Sequence, residues 1–304
     1  MTPTSPANLA DKSLRGAWKD YLEVCKPKVV AVMLFTTLVG MLLAAPVALP
    51  PPTLLTALAG IALVAGSAAA INQVADHRID AVMRRTRARP LPAGHLEPRR
   101  VLWFAAVIGV AGAVMLALWV NLLTAVLTVL SLVGYAFVYT RYLKYATPQN
   151  IVIGGAAGAT PPLLGWTAAT GQVDFPALLL FLIIFVWTPP HFWALALYRK
   201  DEYADAAVPM LPVTHGEDYT RLHILLYTLL LALITMLPFV TGMSGAIYLF
   251  AALLLDAVFL YYAISLKVTR SRDKAMETFV FSIIYLLLLF AALLLDRYLL
   301  LLSA

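Results

Sequence analysis

The sequence predicts an all-α protein that crosses a membrane nine times. Two observations carry this. Of the 304 residues, 62% are hydrophobic and only 12% are charged, and the mean hydropathy is +0.85. A water-soluble chain of this size needs much more polar surface than that. The second observation is where the charge lies. Every lysine and arginine except Arg297 falls at the N-terminus (to Lys28) or around 78–100, 141–144, 199–221 and 267–274. The turns near 50, 121, 172 and 243 carry none. With nine spans these basic segments share one side, so positive-inside bias puts the N-terminus in the cytoplasm and the C-terminus outside. The net charge of +6 then faces anionic lipid rather than nucleic acid. Cys25 is the only cysteine, which excludes an internal disulfide and cysteine-rich zinc sites.

Residues 1–24 read as a polar cytoplasmic segment with no signal pattern, and 25–304 as one transmembrane domain. A bacterial inner membrane fits best. The first span is expected over 29–49 and ends at Pro50, Pro51 and Pro52, which cannot continue a helix. The second, 54–80, has a polar end. The third and fourth, 101–120 and 122–142, turn at Asn121. The fifth and sixth cover 150–169 and 175–198. The last three cover 222–240, 246–266 and 279–302. The loops after the second and sixth spans are long and charged, which is where function concentrates.

The polar end of the second span carries the chemistry. Asn72, Asp76 and Asp80 are four residues apart, so one helical face bears an amide and two carboxylates on successive turns. Oxygen donors of this kind suit Mg²⁺ shared with substrate phosphates. The plain alternative is a helix end paired with nearby arginines, although acids at a helix C-terminus oppose the macrodipole. Arg84, Arg85, Arg87 and Arg89 follow directly. Arg85 and Arg89, with Arg84, Arg141 and Lys144, are candidates to bind a diphosphate, against a background of ordinary positive-inside bias. The sixth span runs into Asp201 and Asp205, again four apart. With four spans from one motif to the other, 25–145 and 146–275 read as two halves of the same orientation, and the second acid pair is expected to face the first. Two or more Mg²⁺ ions would then bridge a diphosphate between them.

Thr147-Pro-Gln-Asn150 opens the fifth span, which presents Gly154, Gly155 and Gly158. A smooth face of this kind packs helices closely or leaves room for an apolar ligand. In Trp187-Thr-Pro-Pro-His-Phe-Trp193, Pro189 and Pro190 are expected to break the ladder and place His191 within the membrane. His191 could contact a porphyrin, act as a base or bond a neighbouring helix. Asp256 lies midway along the eighth span with no partner evident in sequence.

These stretches, with Met83-Arg-Arg-Thr-Arg-Ala-Arg-Pro90 and Val208-Pro-Met-Leu-Pro-Val213, resemble the UbiA superfamily of intramembrane prenyltransferases, and most closely the branch that acts on haem. The resemblance covers 20–300. It implies nine helices around a central cavity open to lipid, capped by the two charged loops. It implies Mg²⁺ held by Asn72, Asp76, Asp80, Asp201 and Asp205, a farnesyl diphosphate donor and haem B as acceptor substrate. Trp187, His191, Trp193 and Asn150 become candidates for the haem or cavity wall. The product would pass toward a haem A synthase or a terminal oxidase assembly. Two other readings remain: a related prenyltransferase for a quinone precursor or chlorin, and an ion-coupled transporter, whose key charges would lie near the midplane.

Overall fold

The structure, a computed structural model, describes residues 18–45 and 49–303. Residues 1–17 of the expected N-terminal segment and 46–48 near the first turn lie outside the described residues. A helical segment over 18–24 leads into α1 (Pro27–Ala44), followed by α2 (Pro51–Val82), α3 (Pro98–Trp119) and α4 (Leu122–Ala146). Then come α5 (Asn150–Ala159), α6 (Pro161–Thr170) and α7 (Phe175–Tyr198). The short α8 (Lys200–Asp205) and α9 (Leu211–Thr214) precede α10 (Glu217–Thr235), α11 (Leu237–Val240), α12 (Ala246–Thr269) and α13 (Arg272–Ser303).

Among the described residues, eight helices are long and apolar enough to cross a membrane. The fifth expected span is instead two ten-residue helices, α5 and α6, broken at Thr160. Pro161 has no N–H to give the Ala157 carbonyl. That carbonyl accepts instead from Ser131 Oγ at 3.2 Å and Thr160 Oγ1 at 2.9 Å, so the break is satisfied locally. Pro189 and Pro190 take two N–H groups out of the ladder, as expected, but α7 runs through both. It is the most buried of the spans and is packed by α5, α10 and α13. Neighbours of this kind hold a proline-containing membrane helix in line.

Neighbours in sequence pack together, and α1 also packs against α6 and α13, and α7 against α13. Two crossings are very close. A Cβ on Gly40 of α1 would lie 2.9 Å from the Pro162 carbonyl carbon of α6, and one on Gly165 would lie 2.8 Å from the Thr37 carbonyl carbon. Only glycine permits backbones to approach this far. Val39, Ile183, Tyr248, Phe259, Tyr285 and Phe290 fill the interior of one half of the bundle. Val107, Val110 and Leu118 on α3, and Val126 and Leu130 on α4, point outward as a lipid face.

Asp256 finds its partners here. Its carboxylate accepts from Tyr285 OH at 2.6 Å and Thr235 Oγ1 at 2.8 Å, linking α10, α12 and α13. Asp296 of α13 accepts from the backbone N–H groups of Gly245 and Tyr248, so it caps α12 from a neighbouring helix. These acids are structural clasps between spans.

Candidate active site

A cavity lies at the end of the bundle where α1 begins and α2, α4 and α7 end. Its wall includes Asn72, Asp76 and Asp80 of α2, and Met83, Arg85 and Arg89 of the following loop. Lys26, Tyr135, Tyr139, Lys144, Ile151, Phe192, Tyr203 and Met210 complete it. The four-residue spacing expected to place the first three on one face does so, and all three are buried.

The acids alternate with cations. Lys26 Nζ donates to Asn72 Oδ1 at 2.6 Å. Asn72 Nδ2 donates to Asp76 Oδ2 and to Thr140 Oγ1, each at 3.0 Å. Lys144 Nζ pairs with Asp76 Oδ1 at 2.8 Å. Arg89 Nη1 pairs with Asp80 Oδ2 at 2.6 Å. Thr86 closes the turn by donating to the Asp80 carbonyl at 3.0 Å. Four cations therefore face two carboxylates, which leaves the cavity positive and suited to a polyanion. Arg85, exposed on one side, has no ion-pair partner among the described residues; partial desolvation where it meets the cavity, chiefly, lowers its pKa.

Lys26 was not foreseen. It precedes Pro27 with φ 52° and ψ 59°, a left-handed backbone that lysine rarely adopts. Strain of that kind persists where the surroundings enforce it, often at working sites. Here it turns the ammonium toward Asn72. Burial, with Arg89 nearby, lowers its pKa to about 8. The available signal was a Lys-Pro pair at the mouth of the first span.

Tyr135, Tyr139 and Lys144 reach the cavity because α4 changes its winding. Gly134–Leu143 is a π-helix. In an α-helix the nine steps from Tyr135 to Lys144 make about two and a half turns, so the two would point in opposite directions. The wider i→i+5 winding takes about two turns and returns Lys144 to the same face. Thr140 Oγ1, which donates to the Tyr135 carbonyl at 2.8 Å, marks this register.

The second acid pair stands elsewhere. The expectation placed both acids at the cytoplasmic end of the sixth span, facing the first pair. In the structure α7 stops at Tyr198, and α8 starts afresh beyond Arg199, whose φ is −108° and ψ 25°. This rotation puts Tyr203 in the cavity wall and leaves Asp201 and Asp205 exposed. Asp201 accepts from Arg272 at 2.6 and 3.2 Å, bonds that lower its carboxyl pKa. Among the described residues, no three His, Cys, Asp or Glu side chains gather as a metal-ligand group. The acid of α8 that turns inward is Glu202, held by Arg199 at 2.6 Å with both side chains 20% exposed.

The other candidates divide in the same way. Arg84 and Arg141 are exposed and outside the cavity wall. His191 also lies outside it. Its Nδ1 is 2.6 Å from Ser282 Oγ, and its ring is stacked between Trp187 and Phe279 at 4.2 and 4.5 Å. Trp187 donates to the Ser282 carbonyl at 2.8 Å. Trp193 is buried against Tyr227, with ring centroids 5.3 Å apart. Of that motif, only Phe192 reaches the cavity. Asn150 is fully buried and donates to the Thr147 and Lys144 carbonyls at 2.8 and 3.5 Å. It secures the turn that carries Lys144, one step behind the wall.

The model of the UbiA prenyltransferase family matches residues 33–293. The chain belongs to this family. Its relatives include the protoheme IX farnesyltransferase of Saccharophagus degradans, 55% identical over 297 residues and covering 98% of each chain. That of Alkalilimnicola ehrlichii is 61% identical over 280 residues, covering 92% of this chain and 93% of its own. The fold matches that of a digeranylgeranylglyceryl phosphate synthase at 20% identity, with a TM-score of 0.77 over 92% of this chain and 98% of that one. A UbiA homologue from Archaeoglobus fulgidus bound to DMAPP and Mg²⁺ aligns at 15% identity with a TM-score of 0.64, over 90% and 99% of the two chains. The UbiA fold of this chain is thus a multi-pass helical bundle with a polar cavity at one end.

Proposed function

We propose that the chain transfers the farnesyl group of farnesyl diphosphate to a vinyl group of haem B, with addition of water, giving haem O. The names and near-complete coverage of the relatives support this reading. The observation that carries it is the buried alternation of Lys26, Asn72, Asp76 and Lys144, with Arg89 on Asp80, at the mouth of an otherwise apolar bundle. Such a site holds a diphosphate at its rim and an isoprenoid chain below.

Asp76 and Asp80, with the Asn72 amide, fit Mg²⁺, which binds through one or two carboxylates plus substrate phosphates. A bound ion would supply Lewis-acid pull on the diphosphate. Lys26, Arg85, Arg89 and Lys144 neutralise the leaving diphosphate as its C–O bond breaks. The bond's electron pair leaves with oxygen. The vinyl π electrons then form the new C–C bond to the farnesyl carbon, and water adds to the carbon beside the porphyrin and gives up a proton. Tyr135, Tyr139, Ile151 and Phe192 form an apolar wall that limits water at the reacting carbon. Positive-inside bias assigns this end to the cytoplasmic side of a bacterial inner membrane.

The transporter reading has little support, since Asp256 and His191 are both engaged in bonds between helices. A prenyltransferase for a quinone precursor or chlorin is tested by the acceptor. Membranes holding the protein, given Mg²⁺, labelled farnesyl diphosphate and haem B, should yield labelled haem O. Labelling of an added aromatic acid instead would reject haem as the acceptor.

A further inference from the structure

Gly154 stands where α5 crosses the π segment of α4. A Cβ built on it would run into the Tyr139 ring, 2.8 Å from Cε2 and 2.9 Å from Cγ. The ring has little room to yield along α4, because it is stacked on Tyr135 with centroids 5.7 Å apart and planes 15° from parallel. Both rings line the cavity below its charged rim. The neighbouring glycines differ. A Cβ on Gly155 would meet Thr188 Cγ2 at 2.9 Å, away from the cavity wall, and one on Gly158 would meet nothing within 4 Å. Of the three, only Gly154 backs a residue of the wall.

We propose that Gly154 is a positioning residue that sets substrate specificity. Lacking a Cβ, it lets Tyr139 lie back against α5 and so sets the width of the apolar part of the cavity, which takes the isoprenoid chain of a prenyl diphosphate. This rests on the prenyltransferase reading. A methyl group at 154 drives the ring toward the chain and leaves Lys26, Arg85 and Arg89, which belong to other segments, in place.

The test uses the full chain in nanodiscs with Mg²⁺ and no haem, titrated with a non-hydrolysable farnesyl thiodiphosphate and separately with inorganic diphosphate. Gly154→Ala is expected to weaken farnesyl thiodiphosphate by roughly tenfold or more, the scale of one misplaced methylene in an apolar pocket. Inorganic diphosphate should stay within about twofold. Adding Tyr139→Leu to Gly154→Ala should bring binding to that of Tyr139→Leu alone, since the two changes act at one contact. Gly155→Ala should leave both ligands unaffected. Equal losses for the two ligands, no loss, or additive losses in the double variant would overturn the proposal. If Gly154→Ala does not fold, recovery of folded protein in the double variant supports the contact, and failure to recover it overturns it. A wild-type chain that binds neither ligand rejects the prenyltransferase reading itself, whereas one that binds both without modifying haem rejects only the acceptor.

Discussion

Lys144 Nζ lies 2.8 Å from Asp76 Oδ1, with the two side chains only 11% and 8% exposed. Buried ion pairs add little net stability over apolar packing, but losing one partner strands the other charge at about 3–5 kcal/mol. Asp76→Asn should abolish turnover and, by stranding the Lys144 charge, lower the melting temperature, while the chain stays folded and membrane-inserted because the amide keeps shape and hydrogen bonding. Lys144→Met should lower the melting temperature and weaken diphosphate binding by about tenfold or more. Thermal melts and titration with inorganic diphosphate check both.

The arginines of the loop after α2 should separate by position. Arg85→Gln should raise KM for farnesyl diphosphate by roughly tenfold, the effect of removing one charge-assisted contact. Arg84→Gln and Arg141→Gln, both exposed and away from the wall, should stay within about twofold. Steady-state kinetics on the three variants decide this.

The acids of α8 give a sharper contrast. Asp201 is 68% exposed and bonded to an exposed arginine. A surface pair like this is worth about 0–1 kcal/mol, so Asp201→Asn should keep activity within about threefold. Glu202→Gln loosens Arg199, which lies close enough to Arg85 to lower its pKa. A fall in kcat/KM of about tenfold or more is expected, of the order of a lost bond to a charged group. Kinetics with inactive Asp201→Asn and unaffected Glu202→Gln would reverse the assignment.

Much of this was legible in the sequence because membrane helices announce themselves by length and apolarity, and Asn72, Asp76 and Asp80 share a face in any α-helix. Three features were not. The π winding of Gly134–Leu143 alters which residues face inward, and neither composition nor spacing signals it, so Lys144 stood beside Arg141 as one of two cations after the fourth span, and Tyr135 and Tyr139 were missed. The restart of the helix after Arg199 left Asp201 and Asp205 exposed and put Tyr203 in the cavity wall, although the motif spacing looked regular. The prolines of two spans had opposite effects. Pro161 and Pro162 broke their helix, while Pro189 and Pro190 did not, because packing around α7 decides what a missing N–H does.

Asp256 should behave as a structural residue. Asp256→Ala leaves Tyr285 OH and Thr235 Oγ1 without their acceptor, at about 1–3 kcal/mol for each buried group. The melting temperature should fall, while affinity for farnesyl thiodiphosphate stays unchanged. Altered affinity in a fully stable variant would give Asp256 a functional role.

The most direct measurement is product formation from purified protein in nanodiscs given haem B, labelled farnesyl diphosphate and Mg²⁺, compared with the same mixture containing a chelator and with Asp76→Asn. Labelled haem O from the wild-type chain alone, absent from both comparisons, is the expected result. Label transferred to haem at an undiminished rate by Asp76→Asn, or with the metal removed, would contradict the assignment of the α2 ladder as the diphosphate site.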